Sequence, residues 1–356
     1  MKRHLMVLGL LGLCAGAFLY TGCSRNEDKG GGDTPSFTLA WSEYPSWSVF
    51  GVAHEKGLIN GKKGELGTIE KKYGVDIVLK QADYDTCITM YGSNTVDASC
   101  QTNMDSLSPS LGRPSVVILP TSTSVGADAC IAVNAKGDKI DWLKNKTVYG
   151  LEKSVSQYAF ERCLEINKKD KSAYTFKNMD PAAAAQAMQT GQANIEAIMV
   201  WNPFVLQTLR TRDGAEVVFD SSMIPEEIID CVVVAKESLE KPGGEKFAQA
   251  ICETYYEVCK MLEDPAQADV TYVALGAKFS SLNAKDMKLV CQQTRFYSTP
   301  SKGLTLLQDK NFQSKTMPMI VGFCERNGMV KSRLSVGFDD PTAQLNFTTK
   351  FLKSAK

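Results

Sequence analysis

Four short stretches of this chain carry the residues that could hold a small solute. The first is Trp41-Ser42-Glu43-Tyr44-Pro45-Ser46-Trp47, with three aromatic rings and a carboxylate in one loop. Large rings are costly in water, so they either line a pocket or pack on the helix that follows. The others are Gln101-Thr102-Asn103-Met104-Asp105, Glu152-Lys153-Ser154-Val155-Ser156-Gln157-Tyr158 and Trp201-Asn202-Pro203. Aromatic faces beside carboxylates suit a small, flat or cationic solute, through stacking, cation–π attraction and charge-assisted hydrogen bonds. Trp41, Tyr44, Trp47 and Trp201 are the candidate walls. Glu152 and Asp105 lead the candidate acceptors, with Glu43 and Asp230 beside them, and Asn103, Ser154, Ser156 and Asn202 are candidate polar fixers. Each carboxylate also reads as a cap or a surface charge. Lys153 is the single basic residue of the four loops. A sulfonate or nitrate site would more naturally present Arg, although helix N-termini bind anions without one.

Other chemistries find less support. The 356 residues hold two histidines, His4 and His54, and His4 falls in a segment that reads as removable. One remaining imidazole disfavours His-rich metal sites and multi-histidine catalysis, so no metal site and no catalytic residue is assigned. No two cysteines form a CxxC or another tight metal spacing. Nine cysteines lie outside the leader and its end, most among apolar neighbours such as Ile131-Ala132-Val133 after Cys130, and read mainly as buried core. Forty basic and forty acidic residues give a formal charge of zero, without the basic excess of a nucleic-acid binder. No GxxxxGK[ST] sequence occurs, so any ATP hydrolysis belongs to another chain.

The candidate loops sit at the ends of a regular alternation. Phe37–Trp41, Val75–Lys80, Val96–Cys100 and Val116–Leu119 read as strands. Between them, helices are predicted over Ser48–Lys56, after Asp83 as cap, and after Asn103 as cap. This order predicts a parallel sheet covered by helices. A second cycle follows, with strands at Ala129–Asn134, Thr147–Leu151, Ile195–Val200, Val217–Phe219 and Cys231–Ala235. Ser154-Val155-Ser156-Gln157 reads as a capping box opening a helix to about Ile166, and Asp180-Pro181 starts another that Gly191 ends. The remainder from about Pro242 reads mainly as helix. A faint echo links Gly92-Ser93-Asn94-Thr95-Val96-Asp97-Ala98 to Gly191-Gln192-Ala193-Asn194-Ile195-Glu196-Ala197, as two lobes of one type would produce. A chain of this length exceeds what one core usually fills, which also predicts two lobes.

The N-terminus reads as an address. Met1-Lys2-Arg3 is basic, Leu5–Leu19 is apolar but short for a membrane span, and Leu19-Tyr20-Thr21-Gly22-Cys23 resembles a bacterial lipobox. Cys23 is then the lipidated residue, 1–22 the leader, and 23–35 a polar, Gly-rich tether. Loss of Lys2 and Arg3 leaves a slight acidic excess.

Taken together, the sequence resembles the solute-binding proteins of ABC importers, in the group that takes nitrate, sulfonates, taurine and thiamine precursors. The resemblance is carried by Ala53-His54-Glu55-Lys56-Gly57-Leu58-Ile59, the two Gly-turn-acid-Ala units and Trp201-Asn202-Pro203. Phe219–Asp230 and Phe296-Tyr297-Ser298-Thr299-Pro300 add a likeness to the subfamily encoded beside urea carboxylase. The resemblance implies an α/β, two-lobed periplasmic binding-protein fold (type II, Venus flytrap), with crossings near Val125–Ile131 and Ile228–Val233. Lobe one is then 36–128, lobe two 129–230, and 231–356 a mostly helical return to lobe one. It implies a monomeric, non-enzymatic receptor without a cofactor, lipid-anchored in the periplasm or at the cell surface. Its partners are a membrane permease and an ATPase. The expected solute is a small nitrogen compound such as urea, guanidine or an amide. The alternative is an aliphatic sulfonate, taurine, nitrate or a thiamine pyrimidine precursor. An enzyme of the same fold, the thiamine pyrimidine synthase, carries a CCCFC motif that this chain lacks.

Overall fold

The computed structural model describes residues 34–279, 282–330 and 334–355. The leader, the proposed lipid site Cys23 and the tether to residue 33 lie outside the described residues. Thirteen strands are described: β1 (Ser36–Trp41), β2 (Asp76–Gln81), β3 (Ala98–Thr102), β4 (Ser115–Ser124), β5 (Asp128–Val133), β6 (Thr147–Gly150), β7 (Thr175–Asn178), β8 (Ala197–Trp201), β9 (Ala215–Asp220), β10 (Ile229–Ala235), β11 (Thr294–Phe296), β12 (Val336–Phe338) and β13 (Leu345–Phe347). They form two sheets. The first has the order β12-β13-β4-β10-β3-β1-β2, with β11 also on β4, and the second the order β7-β6-β8-β5-β9. Every residue of β3, β5, β8 and β10 is buried, which accounts for apolar runs such as Val232-Val233-Val234.

The expected purely parallel sheet is corrected by the returning strand. β1 pairs β2 and β3 in parallel, but β10 inserts between β3 and β4 antiparallel to both. A chain that has left for the second sheet re-enters from the crossing end, so its strand must run the other way. The second sheet repeats the plan: β6 pairs β7 and β8 in parallel, and β5 runs antiparallel to β8 and β9. The two central layouts therefore correspond, with β3 matching β8 and β10 matching β5. The repeated Gly-turn-acid-Ala units lead into β3 and β8, at equivalent places. Their acids bind neighbouring elements: Asp97 accepts from Thr38 N at 2.9 Å and Glu196 pairs with Lys146 at 2.7 Å.

Local chemistry sets the helices that flank the cleft. Asp83 caps Tyr84–Gly92 by accepting from Thr86 N, and Asp180 caps Pro181–Gln189 by accepting from Ala183 N. Ser154 caps Val155–Ile166 through Ser156 N; Gln157 accepts from Lys153 N instead of closing the expected box. The helix after β3 starts later than expected, at Leu107, behind a turn through Asp105. Asn103 is thus no cap; it accepts from Ile229 N and donates to the Glu227 carbonyl. Beyond β10, Gly244–Glu263 buries Phe247, Ile251 and Tyr255 against the first sheet. Gly150 must stay small, because a Cβ there would lie 2.6 Å from the Met199 carbonyl and 2.8 Å from the Phe176 ring. The nine described cysteines are unpaired, and eight are buried. His54 accepts from Gly61 N, a structural role.

Candidate functional site

The chain crosses between sheets twice, from β4 to β5 and from β9 to β10, and the cleft lies beside these crossings. The lobes are closed on one another. Arg210 pairs with Asp286 and Arg295 with Glu226, and Tyr158 packs edge-on against Phe323 at 4.8 Å.

Between the lobes lies a small cavity walled by Tyr44, Trp47 and Tyr84 on one side and Trp201 on the other. The rings form one chain: Tyr44 and Trp47 are 4.9 Å apart, Trp47 stacks on Tyr84 at 5.3 Å, and Tyr84 meets Trp201 edge-on at 5.8 Å. Thr102, Val155 and Ile228 complete the wall, and Asp128 and Asp230 supply its carboxylates. The cavity measures about 20 Å³, enough for one or two water-sized groups.

The two carboxylates occupy matching positions. Asp230, the second residue of β10, lies opposite Thr102 at the end of β3, and Asp128 opens β5 opposite Trp201 at the end of β8. Each accepts a seryl hydroxyl, Asp230 from Ser122 at 2.5 Å and Asp128 from Ser124 at 2.6 Å. Asp105 lies close by and accepts from Tyr84 at 2.7 Å and from Thr102 at 2.9 Å. Burial pushes Asp105 and Asp128 up to about 6 and Asp230 well above the usual carboxylate range. The charges of Asp128 and Asp105 raise Asp230 further. Among the described residues none of the three has a basic partner. The nearby arginines are engaged elsewhere, Arg162 with Glu227, Arg210 with Asp286 and Arg295 with Glu226.

The remaining sequence candidates fall in different places. Glu43 is half-buried at the first loop, its carboxyl raised by burial and by the charges of Asp83 and Asp180. Trp41 is buried under the helix Val49–Glu55, where Gly51 leaves room for its ring, and it does not line the cavity. Glu152 is exposed and accepts from Asn178 N, away from the cavity. Ser154 is a cap, and the Ser156 hydroxyl is buried without a partner. Asn202 donates to Gln293 at 2.8 Å and precedes a cis proline. Tyr84 and Asp128 were missed: Tyr84 reads in sequence as one apolar face of a helix. A usable signal for Asp128 is an acid near the start of an otherwise apolar strand, shared by Asp128-Ala129-Cys130-Ile131 and Asp230-Cys231-Val232-Val233. Among the described residues no group of three or more His, Cys, Asp or Glu is placed to hold a metal ion.

No protein-family model matches this chain, and no curated protein matches it. Solved structures do. The periplasmic aliphatic sulphonate binding protein SsuA from Escherichia coli aligns with a TM-score of 0.64 at 15% identity, over 83% of this chain and 89% of that one. The alkanesulfonate-binding protein SsuA from Xanthomonas axonopodis pv. citri, bound to MOPS, aligns at 0.64 and 13% identity, over 83% and 94%. The periplasmic nitrate-binding protein NrtA from Synechocystis PCC 6803 aligns at 0.54 and 11% identity, over 81% and 85%. The chain thus has the bilobed α/β periplasmic binding-protein fold of type II.

Proposed function

With that fold as premise, we propose that the chain is the solute-capturing receptor of an ATP-driven importer. Solute settles in the cleft, the lobes close by hinge motion at the two crossings, and the closed form docks on a membrane permease served by a separate ATPase. The supporting observation is the enclosed cavity between the lobes, walled by aromatic rings from both and floored by one carboxylate from each. The lipobox-like segment supports a lipid anchor for such a receptor in the periplasm or at the cell surface, and the reading takes it as a monomer.

The solute belongs to the same proposal. By name, the three structures reported above are binding proteins for sulfonates or nitrate, which favours those anions over urea-like solutes on likeness of fold. The lining favours a nitrogen compound instead, since Asp128 and Asp230 are acceptors and no Arg or Lys lines the cavity. The reading is therefore a small urea-, guanidine- or amide-like solute, with an anion of the nitrate or sulfonate class as alternative. Thermal-shift and calorimetric titration of the purified protein with urea, guanidinium, acetamide, nitrate, methanesulfonate and taurine tests it. Saturable heat and a raised melting temperature with at least one of them are expected; no response to any would refute the receptor reading.

A further inference from the structure

We infer that the solute is a compact organic cation, with guanidinium as the type, held between the aromatic walls by the carboxylates of Asp128 and Asp230. This rests on the receptor reading above and narrows it to a charge and a size. Three independent features carry it.

The first is unpaired charge. Asp128 and Asp230 are 3% and 2% exposed, and each accepts from a neutral seryl hydroxyl. A buried carboxylate without a cation is unfavourable, and a cationic solute supplies the missing partner. Asp105 is different, because it already accepts from Tyr84, Thr102 and the Val155 amide across the cleft. It positions Tyr84 and is not assigned to the solute.

The second is the surrounding surface. Four aromatic rings enclose the space, and aromatic faces attract cations. The Tyr44 hydroxyl, on a residue 5% exposed that lines the cavity, lies within reach of Ser124, Thr294 and the Asp230 carboxyl, so its oxygen faces the same space as the carboxylates. At the first loop, Glu43 stands with Asp83 of its own lobe and Asp180 of the other within range of its charge, an acidic set that draws cations and repels anions.

The third is size: at about 20 Å³ the cavity of this closed form admits only groups of water-like dimensions, which favours the most compact cations.

Calorimetry of the purified protein at pH 7.5 with guanidinium chloride, urea, methylammonium, nitrate and methanesulfonate, against sodium chloride, separates the outcomes. Guanidinium is expected to bind at least tenfold more tightly than urea, with no heat from either anion. Asp128→Asn and Asp230→Asn are each expected to weaken guanidinium about tenfold to a hundredfold and to weaken urea by a smaller factor. Far-ultraviolet circular dichroism checks that each variant is folded, and the solute series on the wild-type protein decides the matter if one is not. Urea binding as tightly as guanidinium would overturn the cation assignment and give the unpartnered Trp47 N–H a carbonyl to bond. Binding of nitrate or methanesulfonate without guanidinium would also overturn it. Both results leave the receptor reading intact. Silence with every solute would refute the receptor reading, and this inference with it.

Discussion

Replacing Asp128 with asparagine should make the solute-free protein more stable at neutral pH. The carboxyl is buried, accepts from Ser124 at 2.6 Å and has no basic partner. Burial, followed by the Asp105 charge, pushes it up to about 6 from an ordinary 3.8. A group raised on folding contributes fully below its unfolded value, and that contribution is lost as pH rises through its folded value. The window therefore runs from about pH 4 to about pH 6, and the loss is about 3 kcal/mol by pH 7.5. Asparagine keeps an oxygen for the Ser124 hydroxyl and removes the charge. Unfolding about 320 residues carries an entropy near 0.7 kcal/mol/K, so the gain corresponds to about 4 °C in Tm. The assay is differential scanning calorimetry at pH 7.5 and pH 4.0, because the usual chemical denaturants, urea and guanidinium, are candidate solutes. A rise of about 4 °C at pH 7.5, shrinking to below about 1 °C at pH 4.0, is expected. A lower Tm for the folded variant at pH 7.5 would mean that the fold favours the ionised carboxylate, and would refute the reasoning.

Three other outcomes are expected. Guanidinium affinity should fall as pH drops from 7.5 to 5, since protons compete at Asp128 and Asp230 with Asp105, Tyr44 and Tyr84 around them; titration calorimetry in two buffers would register the displaced protons. Glu70→Ala should lower stability by about 3 kcal/mol, because Glu70 accepts from the backbone N–H groups of Asn60, Gly67 and Ile77, each at 2.6 Å, and calorimetric melting would read it. Gly150→Ala should cost about 1–3 kcal/mol by forcing β6 away from the Met199 carbonyl, and hydrogen exchange in β6 and β8 should quicken.

Strands β1, β5, β8 and β10 were legible because apolar runs between turn residues mark buried strands. Their pairing was not. The antiparallel insertion of β10 between β3 and β4 joins residues far apart in the chain, and no local pattern encodes a return path. In the site, Tyr44, Trp47, Trp201 and Asp230 surround one cavity, whereas Trp41, from the same loop as two of them, turns into the core beneath Gly51. Neighbouring residues of a loop diverge according to its turn, here set by Trp47 N donating to the Tyr44 carbonyl. Glu152 looked well placed at a helix start, but its side chain reaches Asn178 N on β7, a strand too short and polar to be read in advance. Tyr84 was hidden because the apolar face of its helix meets both the core and the cleft.

The matched placement of Asp128 and Asp230 has a bearing on fidelity. Each lobe brings one carboxylate to the closure, and the Asp128 charge strengthens the hold of Asp230 on a proton once water is excluded. Shutting with nothing between them therefore means bringing together like charges or taking up protons. In the receptor proposed above, a vacant cleft is thereby biased toward staying ajar, so it seldom presents a permease with the face of a loaded one. Small-angle scattering would register this as a more expanded solute-free protein at pH 8 than at pH 5, and equal dimensions at both would count against it. On the proposed function, a symmetric pair of acids is a lock against idle delivery.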